Sequence, residues 1–178
     1  MVAAGTLFLV RHGRPVIDPS VGPARWPLDP DARDEVLPLR DRLPGTATWF
    51  SSPEPKALGT ARLLTDDDVT VDPDLVEHRR EATPWVADVD AWRSLVRQVF
   101  TAPDVPAHPG WEPLTATLDR LLPAVRRILA AHTGDVVLVG HGTAWTALRA
   151  ALTGTPPDLD AWAALAMPDV WALERHGF

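Results

Sequence analysis

Thr6-Leu-Phe-Leu-Val10-Arg11-His12-Gly13 is the stretch that decides the fold. Its apolar residues run without alternation and then stop at an arginine and a histidine. A strand with one wet face alternates, so an unbroken run predicts a strand buried on both faces, as in parallel sheets covered by helices on both sides. Val136-Val-Leu-Val139 repeats the pattern and breaks in the same manner, at Gly140-His141-Gly142.

Between and around these runs, strands and helices alternate. Asp29 before Pro30 reads as an N-cap and first turn, opening a helix through Val36, Leu37 and Leu39 to about Leu43, with Pro38 in its middle. Ala47 to Ser51 is a second short strand that ends in Ser51-Ser52-Pro53, and Glu54 to Leu64 carries Leu58 and Ala61 among strong helix formers. Val69 to Val71 is a third strand candidate, flanked by aspartates that read as solvated turns. Leu114, Leu118, Leu121, Leu122, Val125, Ile128 and Leu129 mark a long helix that carries Pro123 and ends near Gly134. Ala144 to Leu152 is helical with Gly154 as its stop, and Val170 to Leu173 supplies a last strand.

The texture changes from Ala82, where Trp85, Trp92 and Trp111 appear among prolines. Trp92, Leu95, Val96, Val99 and Phe100 keep the i, i+3, i+4, i+7, i+8 spacing of an amphipathic helix. Residues 78–113 therefore read as a lid insertion in one domain spanning 1–178. A flexible linker would be richer in glycine, serine or charge. The expected class is α/β, three-layer, with a mostly parallel central sheet, helices on both faces and a short helical lid. In such sheets ligands bind beyond the carboxyl ends of the strands. Arg11, His12, Ser51, Ser52, Glu77 and His141 all fall there.

Composition narrows the chemistry. A chain of 178 residues suits one domain with a sizeable core, and 46% hydrophobic against 23% charged residues fits a soluble globular protein. Without cysteine there are no disulfides, thiolate zinc sites or cysteine nucleophiles. The formal net charge of -7 argues against a broad nucleic-acid surface, though not against a local cationic pocket. No apolar run reaches the roughly 18 residues of a membrane span, and Met1 to Thr6 shows no leader pattern, so a cytoplasmic protein with no membrane partner is expected. Gly-x-Ser-x-Gly and His-Glu-x-x-His are absent, and His78, His108, His132 and His176 show no metal-ligand spacing. Oligomeric state stays open.

Arg11-His12-Gly13 places a guanidinium beside an imidazole, with a glycine that lets backbone approach an anion, and His141 between two glycines opens a helix whose N-terminus also favours an anion. Leu-Val-Arg-His-Gly at 9–13, Ser51-Ser52-Pro53 followed by Lys56-Ala57 and Thr60-Ala61, Leu75-Val76-Glu77, and Val-Gly-His-Gly at 139–142 together resemble the histidine phosphatase superfamily, which includes cofactor-dependent phosphoglycerate mutases. The order and spacing of these motifs run over nearly the whole chain.

The resemblance implies a phosphatase in which His12 is the nucleophile, Arg11 and His141 bind phosphoryl oxygens, and Glu77 is the proton donor, favoured over Glu54 and Glu81. Gly13, Gly142 and Thr143 would line the phosphoryl pocket, with Arg14 and one of Arg79 and Arg80 within reach. The family's second arginine corresponds to Lys56. Lysine keeps the charge but loses the planar fork, a loss of about 10- to 100-fold by the weight of one charged hydrogen bond. In the implied mechanism neutral His12 attacks phosphorus while Arg11, Lys56 and protonated His141 offset oxygen charge, so neither metal nor cofactor is expected. The substrate is a small-molecule phosphate ester. A lid rich in tryptophan suggests one with an apolar portion, although packing is the default role of such residues. The rivals are a mutase of the same family, which the short insertion disfavours, and a non-catalytic phospho-ligand binding protein, motivated by Lys56.

Overall fold

The computed structural model describes residues 5–80 and 86–175, so Glu81, Trp85 and His176 lie outside the described residues. Its sheet has five strands: β1 (Thr6–Arg11), β2 (Thr48–Ser51), β3 (Val69–Val71), β4 (Val136–Gly140) and β5 (Asp169–Glu174). Their order is β3-β2-β4-β1-β5, parallel throughout except for β5, which runs antiparallel to β1. The helices are α1 (Arg33–Val36), α2 (Pro55–Leu64), α3 (Val89–Thr101), α4 (Leu114–Ala131), α5 (Gly142–Thr153) and α6 (Leu159–Ala163).

The unbroken apolar strands do bury both faces. Leu7 and Leu9 of β1, with Val136 and Leu138 of β4, pack against Leu121, Val125 and Ile128 of α4 and Trp145 and Leu148 of α5. Val10 of β1, with Val137 and Val139 of β4, faces the other way, onto Val36, Leu39, Ala61 and Leu64. Each such side chain contributes about 1.5–3 kcal/mol when fully buried, so alternate residues of a strand hold the two helical layers to one sheet. A third apolar cluster joins α3, through Val96 and Val99, to Trp111, Leu114, Ala147 of α5 and Trp162 of α6.

Several boundaries differ from the sequence-based expectation. The helix expected to run from Asp29 to about Leu43 is broken into a 3-10 turn at Pro30–Ala32, the single turn α1, and a second 3-10 stretch at Leu37–Arg42. Pro38 has no N–H to give to the α ladder, and the tighter winding accommodates it. Asp29 does cap this segment, its side chain accepting from Asp31 N at 2.9 Å. Helix α5 starts two residues earlier than expected and stops at Gly154, where φ is 66°. Helix α6 was not foreseen. Its signal is local, Asp158 accepting from Ala161 N at 2.8 Å as an N-cap, and a helix of five residues carries too little periodicity to be read.

Register positions the site. Arg11 pairs with Gly140, and Ser51 with Val139, so β1, β2 and β4 end at one level. His12, Ser52 and His141 are the residues that follow these three ends.

Candidate active site

His12 extends the ladder by one bond, its backbone N–H donating to Gly140 O at 2.9 Å, and it is only 7% exposed. Its Nδ1 lies 2.7 Å from Gly13 O. A carbonyl oxygen can only accept, so Nδ1 carries the proton and Nε2 keeps its lone pair. Burial, followed by the neighbouring His141 and Lys56, holds the ring well below the usual imidazole range, and a neutral imidazole results. The ring meets that of His141 edge to face, with centroids 5.3 Å apart and planes at 64°. Two residues separated by most of the chain thus flank one small volume.

His141 is fully buried, with Nε2 2.8 Å from Ser52 Oγ and 3.4 Å from a carboxylate oxygen of Glu54. Its Nδ1 has no hydrogen-bond partner among the described residues. Burial and the Lys56 ammonium lower it to about 3, against a smaller opposing pull from Glu77. The mechanism read from sequence uses a protonated His141; in the resting site burial, followed by the Lys56 ammonium, favours the neutral imidazole.

Arg11 projects from the end of β1 and is anchored through Nη1 to Leu165 O at 2.8 Å and Ala166 O at 3.2 Å, while its buried Nε has no partner among the described residues. Gly142 makes room for it, since a Cβ there would lie 3.2 Å from Arg11 Nε and 3.5 Å from Cζ. Gly13 has a different reason from the one its motif suggests. Its N–H is taken by Thr60 Oγ1 at 2.9 Å, and a Cβ would fall 2.6 Å from Val36 Cγ2, so packing and not access to an anion demands glycine. Thr60 in turn donates to Lys56 O at 2.7 Å, tying α2 to the loop after β1.

Lys56 sits in the first turn of α2, only 5% exposed, with Nζ bonded to the carboxylate of Glu54 and to Pro23 O at 2.7 Å. Arg11 and Lys56 both bear on the His12 ring electrostatically, which puts two cations around the two imidazoles. Arg14 is placed elsewhere: its guanidinium is paired with Asp29 and with Glu35 at 3.0 Å.

Glu77 accepts three backbone N–H bonds, from His78 at 2.9 Å and Ala144 at 2.8 Å on Oε1 and from Thr143 at 3.2 Å on Oε2. Two of these donors are orphan groups of the first turn of α5, so the helix N-terminus already holds an anion, and it is this carboxylate. Burial pushes Glu77 up, but the Arg80 guanidinium and the His78 N–H favour the charged form, and the net displacement is downward. The resting carboxylate is ionised.

Of the two candidate arginines, Arg80 turns inward and Arg79 is exposed. Arg80 Nη2 donates to Thr143 Oγ1 at 3.0 Å, and its guanidinium lies 4.7 Å from the ring of Trp111 and 5.4 Å from that of Trp92. Trp92 also stacks on Trp162 at 5.3 Å. Trp92 and Trp111 thus both receive Arg80, and Trp92 also packs on Trp162 of α6. Sequence reasoning did not foresee the roles of Thr60, the Leu165 and Ala166 carbonyls or Ser52 Oγ, because each depends on chain segments that meet only after folding. Among the described residues, no group of three or more histidine, aspartate or glutamate side chains is arranged to hold a metal ion, and no helix is long and apolar enough to cross a membrane.

Comparison with known proteins places the chain in one family. The chain matches the model of the histidine phosphatase superfamily (branch 1) over residues 7–175. Mycobacterial glucosyl-3-phosphoglycerate phosphatase Rv2419c superposes with a TM-score of 0.71 at 25% identity, over 92% of this chain and 85% of that one. Bacillus stearothermophilus YhfR gives a TM-score of 0.67 at 28% identity over 87% and 83% of the two chains, and a protein described as mycobacterial hydrolase 1 gives 0.71 at 27% over 96% and 91%. No relative is found among curated proteins. Two imidazoles facing across a sheet edge, a guanidinium at the first of them and a model match from one end of the described chain to the other lead to one statement: the chain belongs to branch 1 of the histidine phosphatase superfamily.

Proposed function

We propose that this chain hydrolyses phosphate monoesters through a phosphohistidine on His12, without a metal ion. The observation that carries the reading is the setting of His12: Nδ1 is committed to Gly13 O, which leaves the lone pair on Nε2, and the ring faces His141 beside Arg11 and Lys56, where burial favours its neutral form. A nucleophile at neutral pH needs that lone pair, and the dispersed charge of a transferring phosphoryl group needs those cations.

In the first step Nε2 forms a bond to phosphorus as the bond to the leaving oxygen breaks in line. Glu77, having taken a proton from solvent or from a monoanionic substrate, passes it to that oxygen. In the second step water attacks phosphorus, the P–N bond breaks back to His12, and Glu77 accepts the proton released. Arg11 and Lys56 attract the phosphoryl oxygens, and the arriving negative charge favours a proton on His141, whose Nδ1 is otherwise unsatisfied.

The substrate we propose is a small, soluble ester. One neighbour acts on glucosyl-3-phosphoglycerate by its name, which supports testing polar sugar and glycerate phosphates beside aryl ones. Packing is the role the described rings support for Trp92 and Trp111, which both receive Arg80, so aryl and polar esters belong in the same panel.

Turnover over a panel of sugar, glycerate, nucleotide and aryl phosphates tests the reading, with His12→Ala as control. Wild-type protein should carry an acid-labile, alkali-stable 32P label after quenching, and the variant none. A second reading, a phospho-ligand binding protein without turnover, is favoured by one observation, the engagement of Lys56 by Glu54. Vanadate affinity without hydrolysis of p-nitrophenyl phosphate would decide for it.

A further inference from the structure

Glu54 has no part in the steps above, yet it stands inside the site. It is 6% exposed, and its two oxygens divide between partners. One is bonded to the Lys56 ammonium, and the other accepts Glu77 N–H at 2.9 Å and lies 3.4 Å from His141 Nε2. An ammonium has three N–H groups. Glu54 takes one from Lys56 and Pro23 O a second, which leaves a single donor for anything that enters.

A buried cation without an anion is costly, and a carboxylate two residues earlier in the chain removes that cost in the empty site. The same carboxylate opposes an incoming phosphoryl group twice. It already holds the lysine, and it adds like charge next to the histidine that the phosphoryl oxygens approach. We propose that Glu54 is a resident counter-anion that competes with the phosphoryl group for Lys56 and so sets the phosphate affinity of the site. The inference rests on the phosphoryl-site reading above. Its consequence is a weaker hold on inorganic phosphate, the product, and therefore faster product release, a step that limits many enzymes.

The test is direct binding of inorganic phosphate and of vanadate by calorimetry to the wild-type chain, Glu54→Gln, Lys56→Met and the double variant. Glutamine keeps the size and an oxygen for Glu77 N–H while removing the charge. Glu54→Gln should bind phosphate about 10- to 100-fold more tightly, the weight of one hydrogen bond to a charged group. That gain should shrink severalfold in the Lys56→Met background, where only the like charge beside His141 is left to remove. Steady-state kinetics should show a lower KM and stronger phosphate inhibition, without a matching rise in kcat. Glu54→Leu repeats the reading if the glutamine variant fails to fold. A wild type that binds phosphate with Glu54→Gln and Glu54→Leu no tighter overturns the inference alone, as does a gain that is undiminished in Lys56→Met. Wild-type and Glu54→Gln proteins that both ignore phosphate and vanadate overturn the phosphoryl site and the inference with it.

Discussion

The backbone N–H of Ala144 donates to Glu77 Oε1 at 2.8 Å, so this carboxylate is clamped on the first turn of the helix that follows the second histidine. The proposed proton donor and the second histidine are thereby held as one unit, because a shift of α5 moves His141 and Glu77 together.

Replacing Glu77 by glutamine keeps an oxygen for those N–H donors and removes the proton. General acid catalysis is worth about 10²- to 10⁴-fold, and its loss weighs most where the leaving group is a poor one. Glu77→Gln should therefore lose that factor on alkyl phosphates and far less on p-nitrophenyl phosphate. Equal losses on the two substrates would remove Glu77 from the acid role.

Arg80 holds Glu77 below its ordinary carboxylate value. A carboxylate that must be protonated to act makes kcat/KM on an alkyl phosphate fall as pH rises through its pKa. Arg80→Met withdraws the cation and so should move that basic limb to higher pH. Loss of contacts to Trp92, Trp111 and Thr143 should also lower Tm. A pH profile unchanged by the substitution would contradict the electrostatic link.

Burial holds His12, His78 and His141 below the ordinary imidazole range, His78 at about 4 and His141 at about 3. In the unfolded chain each takes up a proton from about pH 6.5 downward. The stability tied to keeping them neutral is therefore complete above that pH and is lost as pH falls toward the folded values, by about 1.4 kcal/mol per pH unit per histidine. Tm should fall steadily from pH 7 to pH 4.5, and His141→Asn should show a shallower slope. A Tm independent of pH over that range would contradict the assignment of neutral rings.

Two glycines of the motifs should separate on substitution. Gly13→Ala drives a Cβ against Val36 and Leu28, an overpacking cost of about 1–3 kcal/mol, at about 2–4 °C of Tm per kcal/mol for a chain of this size. Gly142→Ala presses on the Arg11 guanidinium instead, and kcat/KM should fall about tenfold with a small change in Tm. The reverse pattern would exchange the roles assigned to them.

Both histidines, the first arginine and the strands that carry them were legible from sequence because they are local. An apolar run that stops at a polar pair marks a strand end, and the parallel-sheet rule then places such ends together. The same locality explains the failures. The segment after Asp29 has helix signals on either side of Pro38, and only the packing of Val36 and Leu39 under the sheet decides how the chain passes that residue.

What the sequence by itself determined, then, was which residues stand at the strand ends and which chemistry their types permit. Folding alone decided their surroundings and partners: that burial lowers His141 below the usual imidazole range, that Glu77 occupies the α5 N-terminus, that Lys56 is held by Glu54 and that Arg14 faces Asp29. The physical reason is that protonation and pairing depend on burial and on distances of a few ångströms between segments far apart in the chain, and neither quantity exists before the segments meet.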